Sequence, residues 1–282
     1  MTLENRIGLV TLARKYNALI LTDDVYDFLQ YRTSSSSKNL PPKAFLPRLV
    51  DIDRFLPHSS TLPPKHAFGN VMSNGTFSKL LGPGMRTGWA EGSPALAYAL
   101  SQCGSTRSGG AASQFSASIV SEMMLAGEVN PHIETLKSVY TKRRELIVRE
   151  IERVLRDLNA GGSVREAAGW KARPENNEHE EGVVGGYFVW IDLPSGLSAV
   201  ELAIRATDEE NVVVAPGKIF EVPGDESVVF DDGVRLCFSW VEEDELVEGI
   251  VRLGRMIKTM LAEKESGIGK GGQEKVDWVG FR

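Results

Sequence analysis

Lys79 lies in a stretch whose residue types can do covalent chemistry. The stretch Ser73–Trp89 reads SNGTFSKLLGPGMRTGW, so a hydroxyl-rich turn precedes the lysine and a Gly-Pro-Gly bend follows it. A lysine in a partly desolvated site loses some of its preference for the charged form, and its amine then attacks an aldehyde to form a Schiff base. Thr76 and Ser78 offer hydroxyl donors for a phosphate, and the fork of Arg86 suits a phosphate dianion. An isolated loop lysine is more often a solvated surface residue, so this interpretation needs support from a second stretch.

Asp23 and Tyr26 provide that second stretch. They follow ALILT at residues 18–22, a short run of β-forming residues that predicts a strand buried on both faces, as in a parallel sheet. Ligands of open α/β sheets gather at the carboxyl ends of strands, where these two side chains would point at one object. The simpler explanation is that Asp23 and Asp24 cap the next segment. The pair therefore gains weight only together with Lys79.

The elements of the first half must position these residues. Helical spacing from the start of the chain to about Tyr16 precedes the first strand, and NVMSNGTF and RTGWAEG indicate two more strands. The segment SPALAYALSQC predicts a helix with Ser93 as its N-cap. Residues 32–66 are rich in serine and proline and predict a long loop. A helix, a buried strand and polar residues in succession are typical of an α/β fold.

The second half predicts a different arrangement. Apolar residues recur at helical spacing from Pro131 to Leu158, and YFVWIDL and VVVAPG read as strands. In VRLCFSW, the residues Val234, Leu236, Phe238 and Trp240 share one face of a strand, and Arg235 lies on the other face. The final helix carries an apolar stripe made of Leu246, Ile250, Leu253, Ile257 and Met260. Residues 159–182 are predicted to be a flexible insertion.

Composition excludes several classes of function. The 282 residues carry a formal net charge of −6, which argues against broad binding to nucleic acid or an anionic membrane. No apolar stretch is long enough to span a bilayer, and no signal peptide is recognisable. Two cysteines argue against a disulfide framework and favour a reducing compartment, the cytoplasm. The four histidines lack metal-ligand spacing, so no metal site is expected.

The two stretches together meet the needs of one cofactor. Pyridoxal phosphate requires a lysine for its aldehyde, an acid facing its ring nitrogen, and donors for its phosphate. The segments TDDVYDFL, SNGTFSKLLGPGMRTGW, GGYFVWIDLP, VAPGKIF and VRLCFSW also resemble those of class I/II aminotransferases of fold type I, which depend on this cofactor. The resemblance covers most of residues 3–260. It is closest to the branch of aromatic-amino-acid, kynurenine and 2-aminoadipate aminotransferases.

The resemblance implies a role for each candidate residue. Lys79 would form the Schiff base and carry the proton during catalysis. Asp23 would pair with the pyridine nitrogen, and Tyr26 would bond to the ring hydroxyl. The phosphate would be held by Thr76, Ser78 and Arg86. Arg235 would bind the substrate's α-carboxylate, although without the resemblance an exposed strand arginine is the simpler explanation.

The resemblance also implies a fold and partners. It predicts an α/β fold with part of a cofactor-binding large domain at residues 1–128, which has a sheet rich in parallel strands. A small α+β domain is predicted at 129–264, and a disordered tail at 265–282. The substrates would be an amino acid, aromatic or similar to 2-aminoadipate, and a 2-oxo acid. The full-length form is expected to be a homodimer with shared active sites.

Several expectations remain open at this point. The family's N-terminal arm, first strands, phosphate-binding turn, ring-stacking aromatic and Asn-Pro-x-Gly motif have no counterpart here, so the chain resembles the C-terminal part of an aminotransferase. We expect such a chain to bind the cofactor poorly or not at all and to be prone to aggregate through exposed sheet edges. One alternative is a pyridoxal-phosphate-dependent lyase on the same scaffold. Another is an inactive homologue that acts as an interaction or regulatory domain.

Overall fold

The computed structural model describes residues 1–32, 47–57, 68–108, 111–165, 171–172 and 181–267. The helices are α1 (Leu3–Tyr16), α2 (Leu49–Phe55), α3 (Pro94–Ser101), α4 (Gly104–Arg107), α5 (Gln114–Leu125), α6 (Val129–Leu158), α7 (Ala199–Glu210) and α8 (Glu243–Glu265). The strands are β1 (Ile20–Asp23), β2 (Gln30–Arg32), β3 (Val71–Thr76), β4 (Gly88–Glu91), β5 (Ser163–Val164), β6 (Lys171–Ala172), β7 (Glu181–Gly185), β8 (Phe188–Asp192), β9 (Ala215–Pro216) and β10 (Gly233–Cys237). Short turns of 3-10 helix lie at Phe77–Lys79, Pro83–Met85 and Gly217–Phe220.

The chain forms two compact units. Unit 1 comprises residues 1–138 and 169–186, and unit 2 comprises residues 139–168 and 187–282, in each case as far as the structure describes them. Helix α6 begins in unit 1 and ends in unit 2. The mixture of helices and sheets confirms the predicted α/β fold class. The predicted domain limits at residues 128 and 264 stay a prediction.

Unit 1 is built on a three-stranded sheet in the order β1-β3-β4. Strands β1 and β3 are parallel, with Ile20 opposite Val71, whereas β4 runs antiparallel to β3. Helices α1 and α2 cover this sheet through a small core of Val10, Leu49, Val50, Ile52 and Val71. Parallel pairing brings the carboxyl ends of β1 and β3 to the same edge. That edge therefore carries the residues that follow both strands.

A buried ion pair joins the elements of unit 1. The Arg14 side chain on α1 is 1% exposed and donates to Asp53 Oδ1 at 3.2 Å and to the Asp53 carbonyl at 2.7 Å. The other Asp53 oxygen accepts the Asn70 backbone N–H at 2.7 Å, just before β3. The Asn70 side-chain amide donates to the Ala18 carbonyl at 2.9 Å, just before β1. These bonds connect α1, α2 and the starts of both parallel strands.

A second small sheet of unit 1 has the order β2-β7-β6. Strands β2 and β7 are antiparallel, with Gln30 opposite Gly185. The buried hydroxyl of Tyr31 donates to the Gly186 carbonyl at 2.9 Å. This bond and the ladder attach the segment after β7 to the chain that follows Tyr26.

Unit 2 is a four-stranded sheet in the order β5-β8-β10-β9, packed with helices. Strands β8 and β10 are antiparallel, with Trp190 opposite Arg235. Val234, Leu236 and Phe238 are buried, which confirms the predicted alternation for those three positions. Val189 and Ile191 of β8 are buried as well. All five residues of the predicted α8 stripe are buried as well.

Some predictions about individual elements are wrong. Leu21 in β1 is 64% exposed, so this strand is not buried on both faces; the burial pattern alternates instead. In VVVAPG only Ala215–Pro216 pairs as a strand, and Val213 is 71% exposed. Strand β10 ends at Cys237, and the chain then turns towards α8. Trp240 therefore lies beyond the end of the strand and is 89% exposed. Helix α2 lies inside the segment predicted to be a loop, because its apolar face packs into the core of unit 1.

Other predictions concern residues outside those described. Most of the predicted loop at 32–66, most of the insertion at 159–182 and most of the tail at 265–282 belong to that group, although α8 continues to Glu265. Within the described ranges, every helix is too short or too polar to pass through a bilayer.

We expect Arg14→Met to destabilise unit 1 by about 3–5 kcal/mol, because it leaves the Asp53 carboxylate buried without its cation. The matched control is Arg54→Met on the same helix as Asp53, since Arg54 is 42% exposed and its bond to Glu91 should contribute only about 0–1 kcal/mol. Urea unfolding of both variants measures the difference. Equal midpoints for the two variants would contradict the proposed importance of the buried pair.

Candidate active site

Lys79 is positioned by the way β3 ends. The Thr76 hydroxyl accepts the Ser78 backbone N–H at 3.1 Å and caps the 3-10 turn Phe77–Lys79. The same hydroxyl donates to Ser78 Oγ at 3.0 Å. Two hydroxyl groups and the start of a helical turn therefore lie directly before the lysine. Lys79 itself is partly buried.

The loop that carries Lys79 is closed at its base by β3 and β4. The Phe77 N–H donates to the Thr87 carbonyl at 3.0 Å. Gly75 pairs with Trp89, and a Cβ atom at position 75 would lie 2.2 Å from the Trp89 ring, so only glycine leaves room for it. The indole also packs on Phe77 at 4.8 Å and on Phe28 at 5.8 Å between ring centroids. Trp89 thereby joins the two sequence stretches that carry the candidate residues.

Arg86 occupies the far end of the same loop. Its backbone is left-handed, with φ of 47°, an uncommon conformation for a residue other than glycine. Its side chain is exposed and donates to the Pro83 carbonyl at 3.2 Å. Among the described residues no carboxylate pairs with it. The adjacent Thr87 carbonyl accepts the Phe77 N–H, which keeps Arg86 on the same loop base as Thr76.

Asp23 and Tyr26 follow the neighbouring parallel strand. Asp23 is the last residue of β1, exposed, and its Oδ1 accepts the side-chain amide of Asn74 on β3 at 3.1 Å. Lys79 Nζ lies 5.9 Å from the centre of the Tyr26 ring. Gly186 has φ of 68°, and a Cβ atom there would lie 3.3 Å from the Tyr26 ring. The absence of a side chain at position 186 therefore lets this backbone lie close against the Tyr26 ring. Carboxylate, phenol and amine thus come from the same edge of the sheet.

The structure separates the roles of the two adjacent acids. Asp24 Oδ2 accepts the Thr22 hydroxyl at 2.5 Å and the Ser73 hydroxyl at 2.6 Å. Its carboxylate is therefore committed to holding β1 and β3 together. Asp23 keeps an exposed carboxylate that a ligand can reach. The hydroxyl groups that Asp24 accepts lie on the two strands and not in the segment after β1, so they do not support the capping explanation.

Asp27 is a charged residue of this region that the sequence analysis missed. Its Oδ2 atom is buried without a hydrogen bond to the described residues, although Arg48 Nε lies 3.4 Å away. Burial, and next the charge of Asp24, raise the pKa of Asp27 to about 7, while Arg48 and Arg6 oppose the rise. Arg48 is already engaged, since it donates to Asp51 at 3.1 Å and to Glu91 at 2.8 Å. The DDVYD spacing places Asp24 near Asp27, but it does not reveal the burial that is the largest cause of the raised pKa.

Arg235 lies in unit 2 on β10 and is partly buried. Its guanidinium carbon is 4.1 Å from the centre of the Phe188 ring and 4.4 Å from that of Phe220. Arg235 makes neither a hydrogen bond nor an ion pair to any residue that the structure describes. The predicted residues of unit 1 (Asp23, Tyr26, Thr76, Ser78, Lys79 and Arg86) thus share one sheet edge and its loop, and Arg235 belongs to the other unit.

The side chains at the edge of unit 1 suit a ligand that carries both an aldehyde and an anionic group. It combines a primary amine, a phenol and a reachable carboxylate with paired hydroxyls and a guanidinium. Metal binding has no such basis: the described part of the chain contains no group of three or more His, Cys, Asp or Glu side chains placed to hold an ion.

Comparisons with known proteins gave a matching family and several similar relatives. The family described as aminotransferase class I and II matches residues 2–253. Uncharacterized protein YER152C of Saccharomyces cerevisiae is 38% identical over 92% of this chain and 52% of its own length. Aromatic-amino-acid aminotransferase 1 of Thermococcus litoralis is 27% identical over 92% of this chain and 50% of its own length.

A solved structure is similar as well. It is LysN, an alpha-aminoadipate aminotransferase from Thermus thermophilus, in complex with N-(5'-phosphopyridoxyl)-L-leucine. The TM-score is 0.63 at 25% identity, over 93% of this chain and 55% of that one. The chain therefore spans about half the length of the relatives that it matches.

We expect the free energy of unfolding to fall as the pH rises from about 5 to about 8, because the buried Asp27 carboxyl then loses its proton. Its pKa of about 7 in the folded chain lies above its ordinary value of 3.8, so between these values only the folded chain holds the proton. The stabilisation is complete below the ordinary value and is lost as the pH rises through about 7. Asp51 and Glu91 do not interfere, because their pKa values are lowered and they stay charged in this window.

The measurement is the melting temperature at several pH values between about 5 and about 8. Asp27→Asn should flatten the slope of melting temperature against pH, whereas the exposed control Asp157→Asn should keep it. A slope in Asp27→Asn as steep as in the natural chain would show that another group titrates.

Proposed function

The chain belongs to the class I and II aminotransferases, and we propose that unit 1 binds pyridoxal phosphate for the transfer of an amino group from an amino acid to a 2-oxo acid. Members of this family use that cofactor. The observation that carries the proposal is the position of Lys79 Nζ, 5.9 Å from the Tyr26 ring beside the strand end that bears Asp23.

The donor set fits the parts of the cofactor. The hydroxyls of Thr76 and Ser78, 3.0 Å apart, would hold the phosphate together with Arg86. Asp23, whose only described partner is the neutral amide of Asn74, would face the ring nitrogen. Tyr26 would bond to the ring hydroxyl through its own hydroxyl. When bound, pyridoxal phosphate supplies an electrophilic aldehyde and a ring that withdraws electrons from the substrate's α-carbon.

Each residue then has a defined task in proton handling and orientation. Lys79 Nζ would hold the cofactor through its aldehyde, and its amine would accept the proton from the substrate's α-carbon. The Asp23 carboxylate would keep a proton on the ring nitrogen, because a negative charge beside that atom favours its protonated form. Arg235 binds the substrate's carboxylate through its unused N–H groups.

The substrate class is proposed from the relatives. One relative is named an aromatic-amino-acid aminotransferase, and one solved structure is an alpha-aminoadipate aminotransferase. We therefore propose an aromatic amino acid or one similar to 2-aminoadipate as the amino donor. We also propose a homodimer as the working form, and the cytoplasm as its location, since both cysteines are free and exposed. An elimination product in place of a new amino acid would favour the lyase alternative.

Reduction with borohydride in the presence of pyridoxal phosphate tests the central role of Lys79. With the cofactor in large excess to offset weak binding, we expect a phosphopyridoxyl adduct confined to Lys79, located by peptide mass mapping. Lys79→Arg should abolish that adduct, whereas Lys142→Arg, at an exposed position of α6, should leave it unchanged. Adducts spread over surface lysines, or none at all, would contradict the proposal and would favour the inactive homologue.

We expect Asp23 and Asp24 to respond differently to loss of charge. Asp23→Asn should lower kcat by about 100-fold or more with little change in melting temperature, because the exposed carboxylate acts on the cofactor. Asp24→Asn should lower the melting temperature, because its carboxylate accepts two hydroxyl hydrogen bonds between β1 and β3. Transamination rates and thermal unfolding of both variants separate the roles. If Asp23→Asn retained full activity, Asp23 would not be the ring-nitrogen partner.

A further inference from the structure

Arg235 has surroundings that differ from those of an ordinary surface arginine. Its guanidinium carbon lies within 4.4 Å of two ring centres. One ring is that of Phe188 on β8, and the other is that of Phe220 at the end of a 3-10 turn. We call these two residues the aromatic clamp. Contacts of this length are favourable, since the ring face attracts a cation. The clamp therefore restrains a side chain that would otherwise sample many rotamers.

The clamp restrains Arg235 without using its hydrogen-bond donors. Arg235 has no acceptor among the described residues, although it is only partly exposed. A guanidinium can contact aromatic rings and still present its N–H fork to a carboxylate. An arginine that is held in place with unsatisfied donors is ready for an anionic ligand, because binding costs little further ordering.

Arg165 in the same unit provides an internal comparison. Its guanidinium carbon also lies near two rings, 5.3 Å from Trp190 and 5.8 Å from Phe230. It is, however, paired with Asp192 at 2.5 Å, so its donors are committed. Two arginines near aromatic rings thus differ in one respect. Of these two, only Arg235 has its donors free of a carboxylate partner in the described structure.

The surrounding strands fix the clamp. Trp190 stands directly opposite Arg235 on the paired strand and packs on Phe220 with 5.7 Å between ring centroids. Gly233 makes room for this indole, because a Cβ there would lie 2.3 Å from the Trp190 ring. Phe220 is thereby supported from the side of the sheet as well as by its contact with Arg235.

We propose that Phe188 and Phe220 are positioning residues that hold the Arg235 guanidinium ready for a carboxylate, so that a ring at position 220 sets the affinity of this subsite. This inference rests on the proposed function, because it takes Arg235 as the carboxylate-binding residue. It goes further by assigning the affinity to two residues that touch the arginine and need not touch the substrate.

The test uses the full chain and an unreactive carboxylate, 3-phenylpropionate, with 3-phenylpropan-1-ol as the uncharged control. Binding is followed by the side-chain Nε–Hε resonance of Arg235 in NMR spectra, assigned by its loss in Arg235→Met. We expect the acid, and not the alcohol, to shift this resonance. Phe220→Leu should weaken binding by about tenfold, the scale of one cation–aromatic contact. Phe220→Tyr should retain it, because the ring face remains.

Phe115→Leu is the matched control, since its ring on α5 is 79% exposed and belongs to unit 1, so its loss should leave the affinity for 3-phenylpropionate unchanged. If Phe220→Leu does not fold, Phe188→Leu carries the same expectation. In an active preparation, loss of the clamp should raise KM for both substrates while kcat changes little. A purely structural defect would instead lower the melting temperature and kcat together.

The outcomes separate this inference from the proposed function. Arg235→Met abolishing binding while both leucine variants bind normally would overturn the clamp and leave Arg235 as the carboxylate site. Loss of binding in Phe220→Tyr would also overturn it, since packing rather than the ring face would then matter. Carboxylate binding that survives Arg235→Met, or its absence in the natural chain, would overturn both the clamp and the role of Arg235. The adduct on Lys79 tests the rest of the proposed function independently.

Discussion

The hydrogen bond from the Asn70 backbone N–H to the buried carboxylate of Asp53 is the constraint on which the geometry of unit 1 depends. It fixes where β3 starts, and the Asn70 carbonyl in turn accepts the Ile20 N–H at the start of β1. The parallel register then runs unbroken to Asp23 opposite Asn74. A slip of one residue would turn every side chain of the strand to the other face. A bond far from the candidate residues therefore decides which of two adjacent acids meets a ligand.

Beyond the strands, the candidate site depends on short-range backbone chemistry. The Thr76 cap, the Gly-Pro-Gly bend and the Phe77–Thr87 bond place Lys79 and Arg86 on one closed loop. Unit 2 uses a different means, since its arginine is held by ring faces and a paired strand. In both units the charged side chains stay at least partly exposed, while the backbone near them is held by hydrogen bonds. Chemical groups intended for a ligand need this combination, because protein partners would otherwise neutralise them.

The sequence predicted those parts of the fold that are encoded locally. Strand-like segments identified β3 and β8, alternation identified β10, and helical spacing identified α6 and α8. The motif residues identified the sheet edge that carries Lys79. Prediction failed where distant residues decide the outcome. Leu21 is exposed because it points away from the face on which Ile20 packs against the core of unit 1. Helix α2 forms within a proline-rich segment because its apolar face meets that core. The raised pKa of Asp27 was missed because its largest cause is burial, which depends on how the chain folds around the residue.

Each unit contains a tryptophan that lies against a glycine, Trp89 over Gly75 and Trp190 over Gly233. Each pair restricts how the two positions can diverge over evolutionary time. Replacing the tryptophan first leaves a gap, which costs stability but keeps the strands paired. Replacing the glycine first drives a Cβ atom into the ring and forces the indole out of its position. Lineages that lose either pair must therefore change the tryptophan before the glycine, so the order of substitutions at these sites is set by steric exclusion.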